Sequence, residues 1–377
     1  MRIQNYPRPV VAVLLRREIL INLQKQINQS WIHYLVEANQ VVNNTLYFFS
    51  IGDVNLAAKT IKGYYWHQRR QKFVQQDFPL PDVLYVRSGF NKRYTKTYRN
   101  LCQEVRKKKG HVITHYTFNK WRLYQVLSQN PVLKKYLPAT RTVEQADDIA
   151  KMLQKYKTVY LKTHIGRKGE SVLRVRTMPD GSYQCSNFRN GQLDIKIVPD
   201  FQTLIMEIRN FFQHKKYLIQ EGIQLLQFEN RPVDLRAEVQ YDGDGKVDIL
   251  GISARLGRPL SPITTHGDAC KFEDFFLNYL GYTREQLEKL RADVYVFLTT
   301  VYDYLQKNYG RYAEIGIDFA IDPNHHLWFI EANSRSTKVS LQKAYGKAAL
   351  YKNSKNILNY ANYLYKRPKR SGKVVAP

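Results

Sequence analysis

The residues of this chain best suited to chemistry lie in the segment 314–336, EIGIDFAIDPNHHLWFIEANSRS. Two β-forming runs, 316–321 and 327–333, flank the turn signal Asp322-Pro323-Asn324. A symmetric loop sets Ile321 opposite Trp328 and Asp318 opposite Glu331, with Asn333 two residues further along the same face. Ile317, Phe319, Ile321, Trp328, Ile330 and Ala332 then form the other, core-directed face. Like charges directly opposite one another destabilise a ladder, and paired carboxylates resist ionising together. A hard cation such as Mg²⁺ relieves that conflict and takes carboxylate and amide oxygens as ligands. The alternative is a solvated Asp/Glu pair on an exposed sheet face.

A second constellation precedes the hairpin. Lys162 ends the strand-like TVYLK, with Val159 and Leu161 on one face and Tyr160 and Lys162 on the other, and HIGRKGES follows. A lysine leaving a sheet beside a glycine-containing loop sets an ammonium and backbone N–H groups against phosphate oxygens. Gly166 and Gly169 supply the close approach and positive φ such a loop uses, and Arg167 and Lys168 add charge at its tip. KYLIQEGIQLL reads as an edge strand running into a hinge, where the backbone of Gln220, Glu221, Gly222 and Ile223 faces an adenine edge and the Glu221 side chain an amine or ribose. Arg236, in Asp234-Leu235-Arg236, and Arg255, in GISARLG, each sit in strands of mixed polarity. Arginines there are suited to stabilising charge on a transferring phosphoryl group or an acyl phosphate. Plain hairpin turns, a buried strand and structural salt bridges are the competing explanations for these features taken singly.

These residues need elements to carry them. VLYVR, LCQEVRKKKG and HVIT give a strand–helix–strand order in residues 1–115, a small α/β domain. A helix starts after Asn119 in FNKWRLYQVLSQN, and TVEQADDIAKMLQKY is a second helix capped by Thr142 with Ile149, Met152 and Leu153 on one face. Short strands TVYLK, SVLRVR, SYQCS and DIKIV then build a small antiparallel sheet. The helix FQTLIMEIRNFFQ, the strands KYLIQ, DLRAEVQYD and GKVDILGISARL, the helix 284–309 and the hairpin make a larger one, and a helix near 352–364 and a basic tail end the chain. The expected class is α+β, divided as 1–115, 116–219, 220–365 and a tail 366–377.

The 377 residues carry 59 Lys+Arg against 32 Asp+Glu, a net charge of +27 that favours an anionic partner: a nucleotide, a nucleic acid, an acidic peptide or polymer, or a membrane surface. Cys102, Cys185 and Cys270 stand far apart and form no zinc motif, which fits a reducing, cytoplasmic setting. The early apolar run 10–15 is too short for a signal-peptide core or a membrane span. Without a helix-turn-helix, zinc-finger or RRM signature, nucleic acid is not the expected partner.

In order, the chain presents a helix lysine (Lys120), a strand lysine (Lys162), a glycine loop, Q-E-G-I, D-x-R, A-R, G-I-D and E-A-N. This series resembles the ATP-grasp superfamily and, within it, the YheC/YheD family of endospore-coat-associated proteins, over residues of roughly 80–365. FNKWRLYQVLSQNP and KKYLPATR are similar to that family's approach to the fold. The resemblance implies an ATP-grasp fold with a small lid sheet, ATP phosphates on Lys120 and Lys162, and adenine at 220–223. It also implies Mg²⁺ on Asp318, Glu331 and Asn333, with Arg255 near the reacting phosphate. Four departures stand out: Thr163 follows Lys162 where proline is usual, the loop keeps two of three glycines, Ser336 replaces a common proline, and the loop 261–269, SPITTHGDA, lacks a double glycine often seen there. The activity implied is an ATP- and Mg²⁺-dependent carboxylate–amine ligase acting through an acyl phosphate on substrates of unspecified structure, an acidic peptide or polymer among them. The competing reading is a binding or structural protein of the spore that keeps the architecture with little turnover.

Overall fold

The computed structural model describes residues 8–27, 30–87, 89–113, 117–166, 171–189, 192–264 and 267–367. They build three sheets, and the class is α+β. In the first sheet Thr45–Ser50, Val10–Leu15, Val83–Val86 and His111–Ile113 lie parallel in that order. Val10–Leu15 is buried along its whole length, which explains its unbroken apolar run. The antiparallel pair Thr60–His67 and Lys72–Pro79 extends one side.

The last helix, Val339–Lys366, is longer than its apolar pattern predicts and carries non-helical backbone at Gly346. Its Ile357, Leu358, Tyr360, Ala361 and Leu364 pack into the core of this first sheet, beside Val11, Val13 and Leu15. The strand Val10–Leu15 and the last helix therefore share one core.

The second sheet is antiparallel throughout, in the order Gln192–Val198, Tyr183–Arg189, Val172–Thr177, Thr158–Thr163, Tyr217–Glu221, Thr140–Thr142. Alternation puts Val159, Leu161, Leu173, Val175 and Cys185 against Ile149, Met152, Leu204 and Ile208 of the two helices Ala146–Lys155 and Phe201–Phe212. The other face is left for a cavity. Two expectations are corrected here. Tyr217–Glu221 is an interior strand, because the short Thr140–Thr142 takes the edge. Thr142 belongs to that edge strand and caps nothing; Gln145 and Asp148 form the capping box of the following helix.

The third sheet runs Asp268–Lys271, Val247–Leu256, Arg231–Tyr241, Glu314–Ile321, Leu327–Asn333, with Gln227–Phe228 on Arg231–Tyr241. Its core face packs on Arg284–Tyr309, a helix opened by a Thr283/Gln286 capping box and closed at Gly310, whose φ of 89° suits glycine. Leu287, Leu290, Val294, Phe297, Val301 and Leu305 recur at helical spacing along the buried stripe. Each such side chain contributes roughly 1.5–3 kcal/mol by leaving water. Among the described residues no helix is long and apolar enough to cross a membrane.

The hairpin register differs from the symmetric one. Ile321 pairs with Leu327, not Trp328, and a bulge between Asp318 and Phe319 restores Asp318 opposite Glu331. Leu327, Phe329 and Ala332 consequently join Ile317, Phe319 and Ile321 in the core, while Trp328 and Ile330 are only half-buried. Trp328 is drawn out by its indole N–H, which donates to Asp322 in the turn (2.9 Å).

Candidate active site

A cavity of about 730 Å³ lies between the second and third sheets. From the hairpin side, Asp318 and Glu331 enter it as a directly opposed pair, and the next strand sets Arg236 opposite Asp318. Asn333 Nδ2 donates to both carboxylates, at 3.0 Å to Glu331 and 3.3 Å to Asp318. Arg236 grips Asp318 as a fork, with Nη2 at 2.7 Å and Nε on the other oxygen. Arg255 faces Asp234 across its own ladder (Nε at 2.7 Å) and lies 3.2 Å from Asp318. Lys120 pairs with Glu331.

Burial pushes the Asp318 carboxyl up, against the pull of Arg236 and Arg255. Burial also opposes ionisation of Glu331, but the Lys120 ammonium and the Asn333 amide outweigh it, and its carboxyl is held well below the ordinary range. For Arg255, desolvation is outweighed by Asp234 and Asp318, so its guanidinium is held charged.

The second sheet supplies the roof. Lys162 and Tyr160 point into the cavity, as the alternation of TVYLK requires. Lys162 Nζ donates to the buried Gln220 side chain (2.7 Å), which in turn donates to Thr140 Oγ1 (2.9 Å). Burial, then the nearby Lys120, lowers the Lys162 ammonium to about 8, with Glu331 pulling the other way. The helix Lys120–Ser128 is capped by Asn119 and tied to this sheet by Lys120 N–H donating to His164 O (2.8 Å).

The hinge lines the same cavity. Glu221 N–H donates to Ala139 O (2.9 Å) and Gly222 N–H to Thr158 O (2.8 Å), so these two donors are committed within the fold. A Cβ at Gly222 would sit 2.8 Å from Thr158, which accounts for glycine there. Of the hinge backbone, these two N–H groups are therefore turned to the fold, while all four hinge residues line the cavity.

Ten residues singled out in the sequence thus line one cavity: Lys120, Lys162, Gly166, Gln220, Glu221, Gly222, Ile223, Arg255, Asp318 and Glu331. Arg236 and Asn333 are bonded to that set. Gly166 does not adopt a positive φ, contrary to expectation. Arg167, Lys168 and Gly169 lie outside the described residues. Among the described residues no three His, Cys, Asp or Glu side chains gather for a metal, so three-residue coordination here needs the Asn333 amide oxygen.

Sequence reasoning passed over two groups. One is Arg174, Arg176 and Gln184, which also line the cavity and were legible from alternation with Tyr160 and Lys162. The other is a buried network behind Asp318. Lys338 bridges Glu238 (2.7 Å) and Glu314 (3.0 Å), Arg87 pairs with Glu314 (2.9 Å), and Ser336 bonds both Glu238 and Arg236.

The description YheC/D like ATP-grasp matches residues 109–364. The chain belongs to this family. Endospore coat-associated protein YheD of Bacillus subtilis (strain 168) is 26% identical over 313 residues, 80% of this chain and 66% of that protein. Endospore coat-associated protein YheC of the same organism is 23% identical over 306 residues, 78% of this chain and 81% of that protein. The alignment with YheD thus leaves about a third of that relative's length unmatched. The fold is that of ATP-grasp ligase PsnB, solved with a phosphomimetic variant of its minimal precursor, Mg and ADP (TM-score 0.52, 9% identity, 94% of this chain and 100% of that one). D-cycloserine synthetase DcsG is also similar (TM-score 0.51, 11% identity, 95% and 100%). So is a Chryseobacterium gregarium RiPP-associated ATP-grasp ligase in complex with ADP and a leader and core peptide (TM-score 0.50, 13% identity, 97% and 100%).

Proposed function

We propose that this ATP-grasp protein binds Mg·ATP in the cavity between its second and third sheets and uses it to ligate a carboxylate to an amine or similar nucleophile. The carrying observation is the convergence of Lys120, Lys162, Arg255, Asp318 and Glu331 on one 730 Å³ space beside the 220–223 hinge. Adenine lies against the 220–223 hinge, and Lys162 and Lys120 face the phosphates. Opposed carboxylates with an adjacent amide suit a Mg²⁺ that keeps phosphate oxygens among its ligands. The fit is supported by the present pairing: an ammonium and an amide N–H already meet the negative charge of Glu331. Asp318, Glu331 and, with its amide turned, the Asn333 oxygen would hold the cation, and Lys120, released from Glu331, would be free to face phosphate. Bound there, Mg²⁺ neutralises and orients the transferring phosphoryl group.

Arg255, held charged and oriented by Asp234, faces the oxygens of the γ-phosphate, and Arg236 keeps Asp318 in place. A substrate carboxylate oxygen attacks the γ-phosphorus, ADP leaves, and the acyl phosphate so formed is attacked by the amine with loss of phosphate. The chain contributes positioning and charge neutralisation.

Two observations favour a second reading, a spore-associated binding protein with little turnover: Asp318 and Glu331 are both paired with side-chain cations, and both relatives from B. subtilis are named for the endospore coat. An ADP-release screen with Mg²⁺ against amino acids and acidic peptides separates the two. Turnover with any substrate supports the ligase; ATP binding without turnover supports the binding protein.

A further inference from the structure

Among the described residues the strand Gln192–Val198 ends the second sheet and pairs only with Tyr183–Arg189, so one row of its N–H and C=O groups has no strand partner there. Natural edges are blunted by proline, bulges, shortness or charges directed outward. This one has seven residues, no proline and an unbroken register. Its two charges are turned to other tasks, Asp194 accepting from Asn187 Nδ2 (3.0 Å) and Lys196 pairing with Glu207 of the covering helix.

Ile195 and Ile197 lie on the opposite face, 39% and 61% exposed. Cross-strand register shows where that face leads. Ile197, Gln184, Arg176 and Thr158 form one row, and Ile195, Ser186, Arg174 and Tyr160 the next. Both rows run from the open edge into the cavity, which Thr158, Tyr160, Arg174, Arg176 and Gln184 line. Arg176 is exposed and has no ion-pair partner among the described residues.

From this arrangement we infer that the edge strand is a docking site for an extended peptide, aliphatic and β-forming where it lies on Gln192–Val198 and acidic where it continues beneath Arg174 and Arg176. Main-chain hydrogen bonds to the edge hold it, and alternate aliphatic side chains pack beside Ile195 and Ile197. An added strand lies roughly 14 Å from the strand of Arg176, three strand spacings away. The acidic segment therefore meets the arginines only by turning under the sheet, which carries it into the cavity. A second copy of this chain is the other natural occupant of an open edge. Its net charge of +27 opposes that, since pairing edges would bring two sets of unpaired cations together, whereas an acidic peptide complements them. Docking stands independently of turnover; delivery of a carboxylate for activation rests on the ligase reading.

The test uses the full chain without nucleotide and a fluorescein-labelled peptide, an alternating valine–threonine segment followed by a short glutamate run. Fluorescence anisotropy reports binding, ADP affinity is measured separately, and sedimentation gives the oligomeric state. Saturable binding is expected, weakened about tenfold or more by Ile197→Lys, a loss of ~1.4 kcal/mol. Proline in the valine–threonine segment and lysines in place of the glutamates should each weaken it similarly. Ile197→Lys should leave ADP affinity unchanged. Absent binding to the native chain, or equal binding by the Ile197→Lys chain or the proline peptide, overturns the docking site. So does a native dimer that this substitution dissociates. Loss of ADP binding by the native chain instead removes the nucleotide reading and leaves the peptide result intact.

Discussion

Lys338→Met tests the buried network behind the carboxylate pair. Lys338 is 9% exposed and its ammonium bridges Glu238 and Glu314, which are 1% and 3% exposed. Arg87 covers Glu314 at 2.9 Å, with its N–H also donating to Ser336 O (3.1 Å), while Arg236 stands 3.8 Å from Glu238 and is committed to Asp318. Removing the ammonium leaves Glu238 with one distant, shared cation. Breaking a buried pair from one side costs roughly 3–5 kcal/mol, because the partner charge stays buried without compensation. For 377 residues at roughly 2.1 cal/mol/K of unfolding entropy each, that is a fall in Tm of about 4–6 °C. Glu238→Gln in the Lys338→Met background removes the stranded charge and should recover a substantial part, a non-additivity of at least about 1 kcal/mol. Differential scanning fluorimetry on the single and double variants reads both effects. A Tm change under about 2 °C for Lys338→Met, or simple additivity with Glu238→Gln, would refute the claim that these charges are mutually dependent and dry.

Glu331→Ala should weaken Mg·ATP binding far more than binding of ATP without metal, and calorimetry showing equal losses removes Glu331 from the metal set. Lys162→Met should raise the ATP dissociation constant. In the native chain ATP affinity should be greatest below pH 8 and fall by up to about tenfold per pH unit above it, because the ligand-free ammonium loses its proton near 8 and binding must restore it. That slope should be absent from Lys162→Met; fold stability moves the opposite way, the cost of the buried ammonium being full below 8 and relieved toward 10.5. Arg255→Ala and Arg255→Lys should lower ADP release with a substrate while leaving ATP affinity nearly unchanged. Loss of ATP binding alone would recast Arg255 as a ground-state phosphate anchor.

The opposition of Asp318 and Glu331 was legible for a reason only half visible in the sequence. The turn is one residue tighter than a symmetric loop, pairing Ile321 with Leu327, and the bulge after Asp318 shifts the ladder back by one. The two departures cancel at the carboxylates and not between them, which is why Trp328 and Ile330 were misplaced while Asp318 and Glu331 were not. Alternation placed Lys162 correctly because its opposite face is uniformly apolar and must meet the covering helices. Thr142 was misread because a strand pairing with Leu218, far along the chain, used the residue before a helix could. The network of Arg87, Glu238, Glu314 and Lys338 left no sequence signal at all. Its members lie on separate elements: Lys338 meets Glu238 and Glu314 where the last helix begins, and Arg87 reaches Glu314 where the first sheet meets the third.

The charge arrangement of the site explains why so many ionisable groups persist in a half-closed space. Lys120, Arg236 and Arg255 are matched by Glu331, Asp318 and Asp234, so these six side chains are balanced without ligand. Lys162 stands outside that balance, bonded to the neutral Gln220, and it is the lysine whose ammonium is lowered. An isolated buried cation is costly, and the cost is relieved when an anion arrives beside it. On the proposed Mg·ATP reading, the balanced pairs would keep the arginines oriented before binding, and the unbalanced lysine would supply an affinity for phosphate that no pair in the set has to be broken to release. Arg236 and Arg255 are held by carboxylates on their own sheet, whereas Lys120 reaches Glu331 from a separate helix, so Lys120 is the cation freest to change partner when nucleotide and metal enter together.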